Sequence, residues 1–161
     1  MDIREFNALP VDAARALVAP CLAVPRWVDD VVSGRPYDDP AAVLKRAHDA
    51  ALHLTDAELA SALTRHPRIG ERPGSDDDEA RLSRSEQSGV QPEHADHLRD
   101  ANRSYEARFG RVFLIRAAGR SSDEILAELE RRLGNDPATE RDETVAALRD
   151  IALLRLRQVA Q

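Results

Sequence analysis

Apolar positions recur at helical spacing along most of the chain, and prolines, glycines and capping residues cut that pattern into segments. Leu9-Pro10-Val11-Asp12 opens the first helix, carried on by Ala13, Ala14, Ala16, Leu17 and Val18 and stopped by Pro20. Pro25 starts a second short helix through Trp27, Val28, Val31 and Val32, ended by Ser33-Gly34, with Trp27 as a core anchor. Asp39-Pro40 joins an N-cap to a proline at the first helical position. Val43, Leu44, Ala47, Ala51 and Leu54 then carry that helix to about Leu54. Thr55-x-x-Glu58 has the form of a capping box and begins a helix through Leu59, Ala62 and Leu63. This helix ends near His66, because Pro67 disfavours helical geometry at the residue before it.

Beyond His66 the helical pattern breaks. Residues 72–79 read as a solvated acidic loop or a frayed helix start, and Ser83-x-x-Glu86 permits a short helix that Gly89 and Pro92 confine. Pro92 begins a longer helix through Ala95, Leu98, Ala101, Tyr105 and Ala107, closing near Phe109-Gly110. Residues 111–116 are the most strand-like piece, but no partner strand stands nearby, so they read as an extended buried connector. Ser121-x-x-Glu124 caps a helix through Ile125, Leu126, Leu129 and Leu133, ended by Gly134. Asp136-Pro137 starts the last and longest helix, with Val145, Leu148, Ile151, Ala152, Leu154 and Val159 as its apolar stripe. The expectation is an all-α, single-domain helical bundle of about eight helices over residues 1–161, with no significant sheet.

Composition agrees with this outline. The 161 residues suit one domain, and aromatics make up only 4% of a chain rich in Ala, Leu and Arg. A net charge of −6 argues against general nucleic-acid or anionic-membrane binding, although a local arginine cluster can still hold an anionic substrate. The first residues resemble no signal peptide, and no apolar run approaches the roughly 20 residues that span a bilayer. Cys21 is the sole cysteine, which excludes an internal disulfide and makes a reducing cytoplasm the default expectation.

The candidate chemistry lies between His66 and Gln87. An imidazole there stands beside a proline on irregular backbone, ahead of Ser83, Glu86 and Gln87. Imidazole moves protons near neutral pH, and a carboxylate can orient it; a glutamine serves donors and acceptors of an amide-rich ligand. Taken singly, each piece has a stronger structural explanation, His66 as a helix end and Ser83/Glu86 as a capping box. Their combination in one loop-rich region raises the functional reading. His48 and His53 fall on different helical faces, and His94-x-x-His97 lacks the further ligands of a zinc site, so no metal is expected. No glycine-rich phosphate loop occurs. Arg155 and Arg157 interrupt the apolar end of the last helix, and either can hold a carboxylate; spacing does not choose between them.

As a set, these residues resemble the 2-oxo-4-hydroxy-4-carboxy-5-ureidoimidazoline (OHCU) decarboxylases. The resemblance rests on His66-Pro67-x-Ile69-Gly70, Ser83-x-x-Glu86-Gln87, Asn102-x-x-Tyr105-x-x-x-Phe109-Gly110 and Phe113-Leu114-Ile115. Gly119-Arg120-Ser121, Arg132-Leu133-Gly134-Asn135, the Ile151-to-Leu156 segment, Phe6-Asn7 and Arg35-Pro36 extend it over nearly the whole chain.

The resemblance implies decarboxylation of OHCU to (S)-allantoin in urate breakdown, on an all-helical fold without metal or organic cofactor, in a homodimer. It implies His66 as the acid–base residue, Glu86 as its partner carboxylate, and Pro67, Ser83 and Gln87 as substrate-lining positions. Arg111, Val112, Phe113, Leu114 and Ile115 match a segment whose backbone contacts the ligand. Arg155, with Arg157 as the fallback, matches the family's terminal-helix arginine. One departure stands out: Arg111-Val112-Phe113 replaces the Phe-Pro-Phe of many members. That change is the feature most compatible with an acid–base enzyme acting on another ureido or hydantoin compound. A further alternative is a helical interaction module that has lost activity, against which the complete His66/Glu86/Gln87 set argues.

Overall fold

Helix signals in the sequence become helices almost one for one in the computed structural model, which describes residues 1–70, 81–82, 85–87 and 94–161. Eight helices lie wholly among them: α1 (Ile3–Ala8), α2 (Val11–Val18), α3 (Pro25–Ser33), α4 (Pro40–Ala51), α5 (Asp56–Leu63), α6 (Ala95–Phe109), α7 (Ser122–Leu133) and α8 (Pro137–Val159). No strand occurs among the described residues, and the all-α expectation holds. The chain divides into two compact units, Met1–Ala62 with Leu148–Gln161, and Leu63–Ala147.

In the first unit, α3 packs on both α2 and α4. Phe6 and Trp27 are fully buried, and the Trp27 indole Nε1 donates to the Ala47 carbonyl at 2.9 Å, so its one polar atom is satisfied inside the core. Phe6-Asn7 and Arg35-Pro36 are joined here. Arg35 Nη1 donates to the carbonyls of Phe6 (2.9 Å) and Leu9 (2.8 Å), closing the C-terminus of α1. Asn7 exchanges two bonds with Tyr37, donating from Nδ2 to its carbonyl at 2.8 Å and accepting its N–H at 2.9 Å. At the start of α5 the capping box is complete: Glu58 N–H donates to Thr55 Oγ1 at 3.1 Å, and Thr55 N–H to Glu58 Oε2 at 2.9 Å.

Three boundaries or stripes differ from the sequence reading. Helix α1 was not anticipated; an Asp2/Glu5 capping box starts it and Phe6 is its one buried side chain. Helix α4 stops at Ala51 rather than Leu54, with Leu52 as its C-cap, and the buried Leu54 is reached through a turn. In α8 the buried residues are Glu140, Thr144, Leu148, Ile151, Ala152, Arg155 and Leu156, while Val145, Leu154 and Val159 are only half-buried. Its inward stripe therefore begins polar. Of the two terminal arginines, Arg155 is 1% exposed and its Nη1 donates to the Pro20 carbonyl at 3.2 Å, whereas Arg157 faces solvent.

The second unit packs α6 against α7 around Ile69, Leu98, Tyr105, Phe113, Ile115, Ala117, Ile125 and Leu129. Gly110 ends α6 in the left-handed region at φ 70°, which turns the chain into the connector. Residues 111–116 belong to no helix, and Phe113, Leu114 and Ile115 are buried, as the sequence predicts for an extended connector.

Candidate active site

After α5 ends at Leu63, the His66 N–H donates to the Leu63 carbonyl at 3.1 Å and the chain leaves the helix. His66 is 9% exposed, so its imidazole sits at the margin of the interior rather than in open solvent. The four residues that follow are fastened at three points. Arg68 makes a two-pronged ion pair with Glu106 of α6, Nε to Oε1 at 2.6 Å and Nη2 to Oε2 at 3.2 Å. Asn102, one turn earlier on α6, donates from Nδ2 to the Ile69 carbonyl at 3.0 Å. Gln87 accepts the Gly70 N–H on its Oε1 at 3.1 Å.

Gly70 lies at φ 90°, where a side chain would be strained. A loop held this way keeps a neighbouring side chain in place without regular secondary structure, which positioned acid–base chemistry requires.

Gln87 is thus tied to the loop that follows His66. Pro67 is half-buried beside His66, and Glu86 is half-buried and helical, one residue before Gln87. Ser83 lies outside the described residues. Arg155 belongs to the first unit and is described there.

The connector adds a second feature. None of the backbone N–H groups of residues 112–116 finds an acceptor among the described residues, although Phe113, Leu114 and Ile115 are 1%, 3% and 5% exposed. Buried peptide donors are normally paired, so unpaired ones suit a ligand. Arg111 is half-buried, and its Nε has no acceptor among the described residues.

A buried polar cluster, to which sequence reasoning assigned no chemistry, stands behind the connector. Arg132 and Glu140 form an ion pair with side chains 3% and 0% exposed, Nε and Nη2 of the guanidinium donating to Oε1 at 2.9 and 2.5 Å. Tyr105 donates its hydroxyl to the same oxygen at 2.5 Å, and Asn135 Nδ2 donates to Oε2 at 3.0 Å. Arg132 also reaches the Leu114 carbonyl through Nη1 at 2.6 Å, and its Cζ lies 4.6 Å from the centroid of the Phe113 ring. Arg132, Asn135 and Tyr105 stand in the motifs quoted above, but their burial as one charged network is not a periodicity signal.

Burial, and then the hydrogen bond to the Glu140 carboxylate, push the Tyr105 phenol up to about 12. Burial also raises Tyr37. In an alkaline absorbance titration of the native protein, neither of the two tyrosines should ionise at the usual pH 10. The folded state holds the Tyr105 proton more tightly than the unfolded chain. Its stabilisation is therefore complete below pH 10 and is lost as pH rises from 10 through about 12. A half-developed tyrosinate signal at pH 10 from a folded sample, as two ordinary phenols would give, would contradict the cluster.

Fold and loop together define a class: a helical fold with a histidine on irregular backbone, its loop braced by Glu106 and Asn102 of α6 and by Gln87, and a separate connector whose peptide donors find no acceptor among the described residues. The chain belongs to the OHCU decarboxylase family, whose family model, described as OHCU decarboxylase, matches residues 7–157.

Among similar proteins, the 2-oxo-4-hydroxy-4-carboxy-5-ureidoimidazoline decarboxylase of Amia calva is 42% identical over 60 residues, 37% of this chain and 34% of that one. The uric acid degradation bifunctional protein TTL of Arabidopsis thaliana is 34% identical over 102 residues, 60% of this chain and 31% of that one. The matched part of this chain thus spans about a third of the length of each of these relatives. A crystal structure of OHCU decarboxylase in the presence of (S)-allantoin shares the fold, with a TM-score of 0.72 at 21% identity over 88% of this chain and 94% of that one.

Proposed function

We propose that this chain decarboxylates OHCU to (S)-allantoin in urate breakdown without a cofactor. The observation that carries this reading is the family match over residues 7–157, within which His66 stands on a loop braced at Arg68, Ile69 and Gly70. His66 is the acid–base residue and Glu86 the carboxylate that orients it. Pro67, Ser83, Gln87 and the backbone of residues 111–115 hold the ring. Arg155 is the terminal-helix arginine assigned to the substrate carboxylate, and its buried guanidinium supports it over the exposed Arg157. Residues 1–161 act as one functional domain, in a cytoplasmic homodimer.

The chemistry requires geometry more than chemical reagents. When the C–CO2 bond breaks, its electron pair passes into the ring and is delocalised over the neighbouring C=N. This happens readily only if the departing carboxylate stands out of the ring plane. A ligand held by fixed hydrogen bonds keeps that orientation. The hydroxyl on the carbon that lost CO2 then gives up its proton to become the ring carbonyl, and delivery of a proton from a single positioned imidazole to one face of the neighbouring ureido-bearing carbon fixes the configuration of the product.

The test follows circular dichroism while freshly generated OHCU decays. With the chain present, the signal of one allantoin enantiomer should grow; spontaneous decay gives the racemate and no net signal. Racemic product with the chain present, at the spontaneous rate, would overturn the reading and favour a binding module or a different substrate.

A further inference from the structure

We propose that Arg132 is a positioning residue for the substrate, acting through the peptide between Leu114 and Ile115, and that the buried Glu140 carboxylate keeps it in that position. This deepens the reading above and rests on it, since that reading places the ligand against the connector.

The geometry leads there in three steps. Arg132 Nη1 donates to the Leu114 carbonyl at 2.6 Å, while Nε and Nη2 of the same guanidinium are committed to Glu140 Oε1. Tyr105 and Asn135 hold that carboxylate in turn, and Arg132 Nη2 also reaches Thr144 Oγ1 at 3.3 Å. The guanidinium is planar and rigid, so fixing two of its nitrogens on a buried carboxylate fixes the third on the carbonyl.

The Leu114–Ile115 peptide is trans, the only cis bond of the described residues being Arg35–Pro36. In a planar trans peptide the N–H points opposite to the C=O. Holding the Leu114 carbonyl on Arg132 therefore aims the Ile115 N–H away from Arg132. That N–H has no acceptor among the described residues, on a residue 5% exposed.

The connector thus presents a donor to the ligand and withholds its Leu114 acceptor. The matching ligand atom is a carbonyl or carboxylate oxygen, of which the ureido ring has several.

The test uses the full chain and two variants. In Arg132→Met/Glu140→Leu both charges are removed together, so no uncompensated charge remains buried and folding is expected to survive. Arg132→Lys keeps a cation opposite Glu140 but loses the rigid fork. Kinetics on generated OHCU and calorimetric affinity for (S)-allantoin are read for each, with wild type alongside. An NMR titration follows the Ile115 amide.

We expect KM and the Kd for (S)-allantoin to rise together by about ten-fold, the worth of one hydrogen bond to a polar ligand atom. We expect kcat to change by less than about three-fold, because the contact is made before and during the reaction. The Ile115 amide resonance should move on adding (S)-allantoin to wild type and not to the double variant. Wild-type KM, Kd and amide shift in a folded double variant would overturn the positioning role while leaving the decarboxylase reading intact. If the double variant fails to fold, unchanged KM and Kd in Arg132→Lys overturn it equally. A wild-type chain that neither converts OHCU nor binds (S)-allantoin removes both.

Discussion

His66→Gln should lower turnover of OHCU by about 100- to 10,000-fold, the range for removing a positioned general acid–base group. The affinity for (S)-allantoin should change little, because the loop's anchors are independent of the imidazole. Arg68 holds Glu106, Asn102 holds the Ile69 carbonyl, and Gln87 holds the Gly70 N–H. None of these bonds uses the ring of His66, so the variant should keep its helical dichroism. Residual allantoin formed by the variant should be racemic, since spontaneous protonation has no preferred face. Stereospecific product from His66→Gln at more than about a tenth of the wild-type rate would remove the assignment, whatever the fold does. Glu86→Gln makes a useful contrast: an orienting carboxylate should cost less than the group it orients, and loss of helical signal instead would mark Glu86 as purely structural.

Most of the fold was legible because its elements are punctuated by residues with one physical use. Pro25 and Pro40 stand in first helical turns, Asp39 and Ser121 accept N-terminal amides, and Gly110 adopts the left-handed turn that ends α6. Where a helix was missed, the signal was short: α1 has six residues and one buried side chain, too few to show a period. The site was legible only in part. His66 and Gln87 could be named from the break in the helical pattern, and Gln87 accepts the Gly70 amide on the loop that follows His66. Arg68 and Glu106, which brace the same loop, were given no role by the sequence, and Asn102 stood there only as part of a motif. Nothing in local spacing says that Arg68 and Glu106, far apart in the chain, form an ion pair. Ser83 remains outside the described residues.

The polar core shows why hydrophobic periodicity falls short here. Glu140 and Thr144 occupy the inward face of α8 with no exposure, positions an apolar stripe would assign to leucine. Their burial is tolerable only because the carboxylate is matched by Arg132, Tyr105 and Asn135 at once. Removing the carboxylate alone should therefore be severe. In Glu140→Ala the Arg132 guanidinium loses its counter-charge, and Tyr105 and Asn135 lose their acceptor. Breaking a buried pair from one side costs about 3–5 kcal/mol. For a chain of this size that lowers the melting temperature by on the order of 10 °C.

The penalty arises from the orphaned cation, so removing it as well in Arg132→Met/Glu140→Leu should recover much of the loss. Urea denaturation of wild type, the single variant and the double variant measures both effects. A loss below about 1 kcal/mol in Glu140→Ala would mean that solvent reaches Arg132 and compensates it. In that case the carboxylate would not be what fixes the guanidinium on the Leu114 carbonyl.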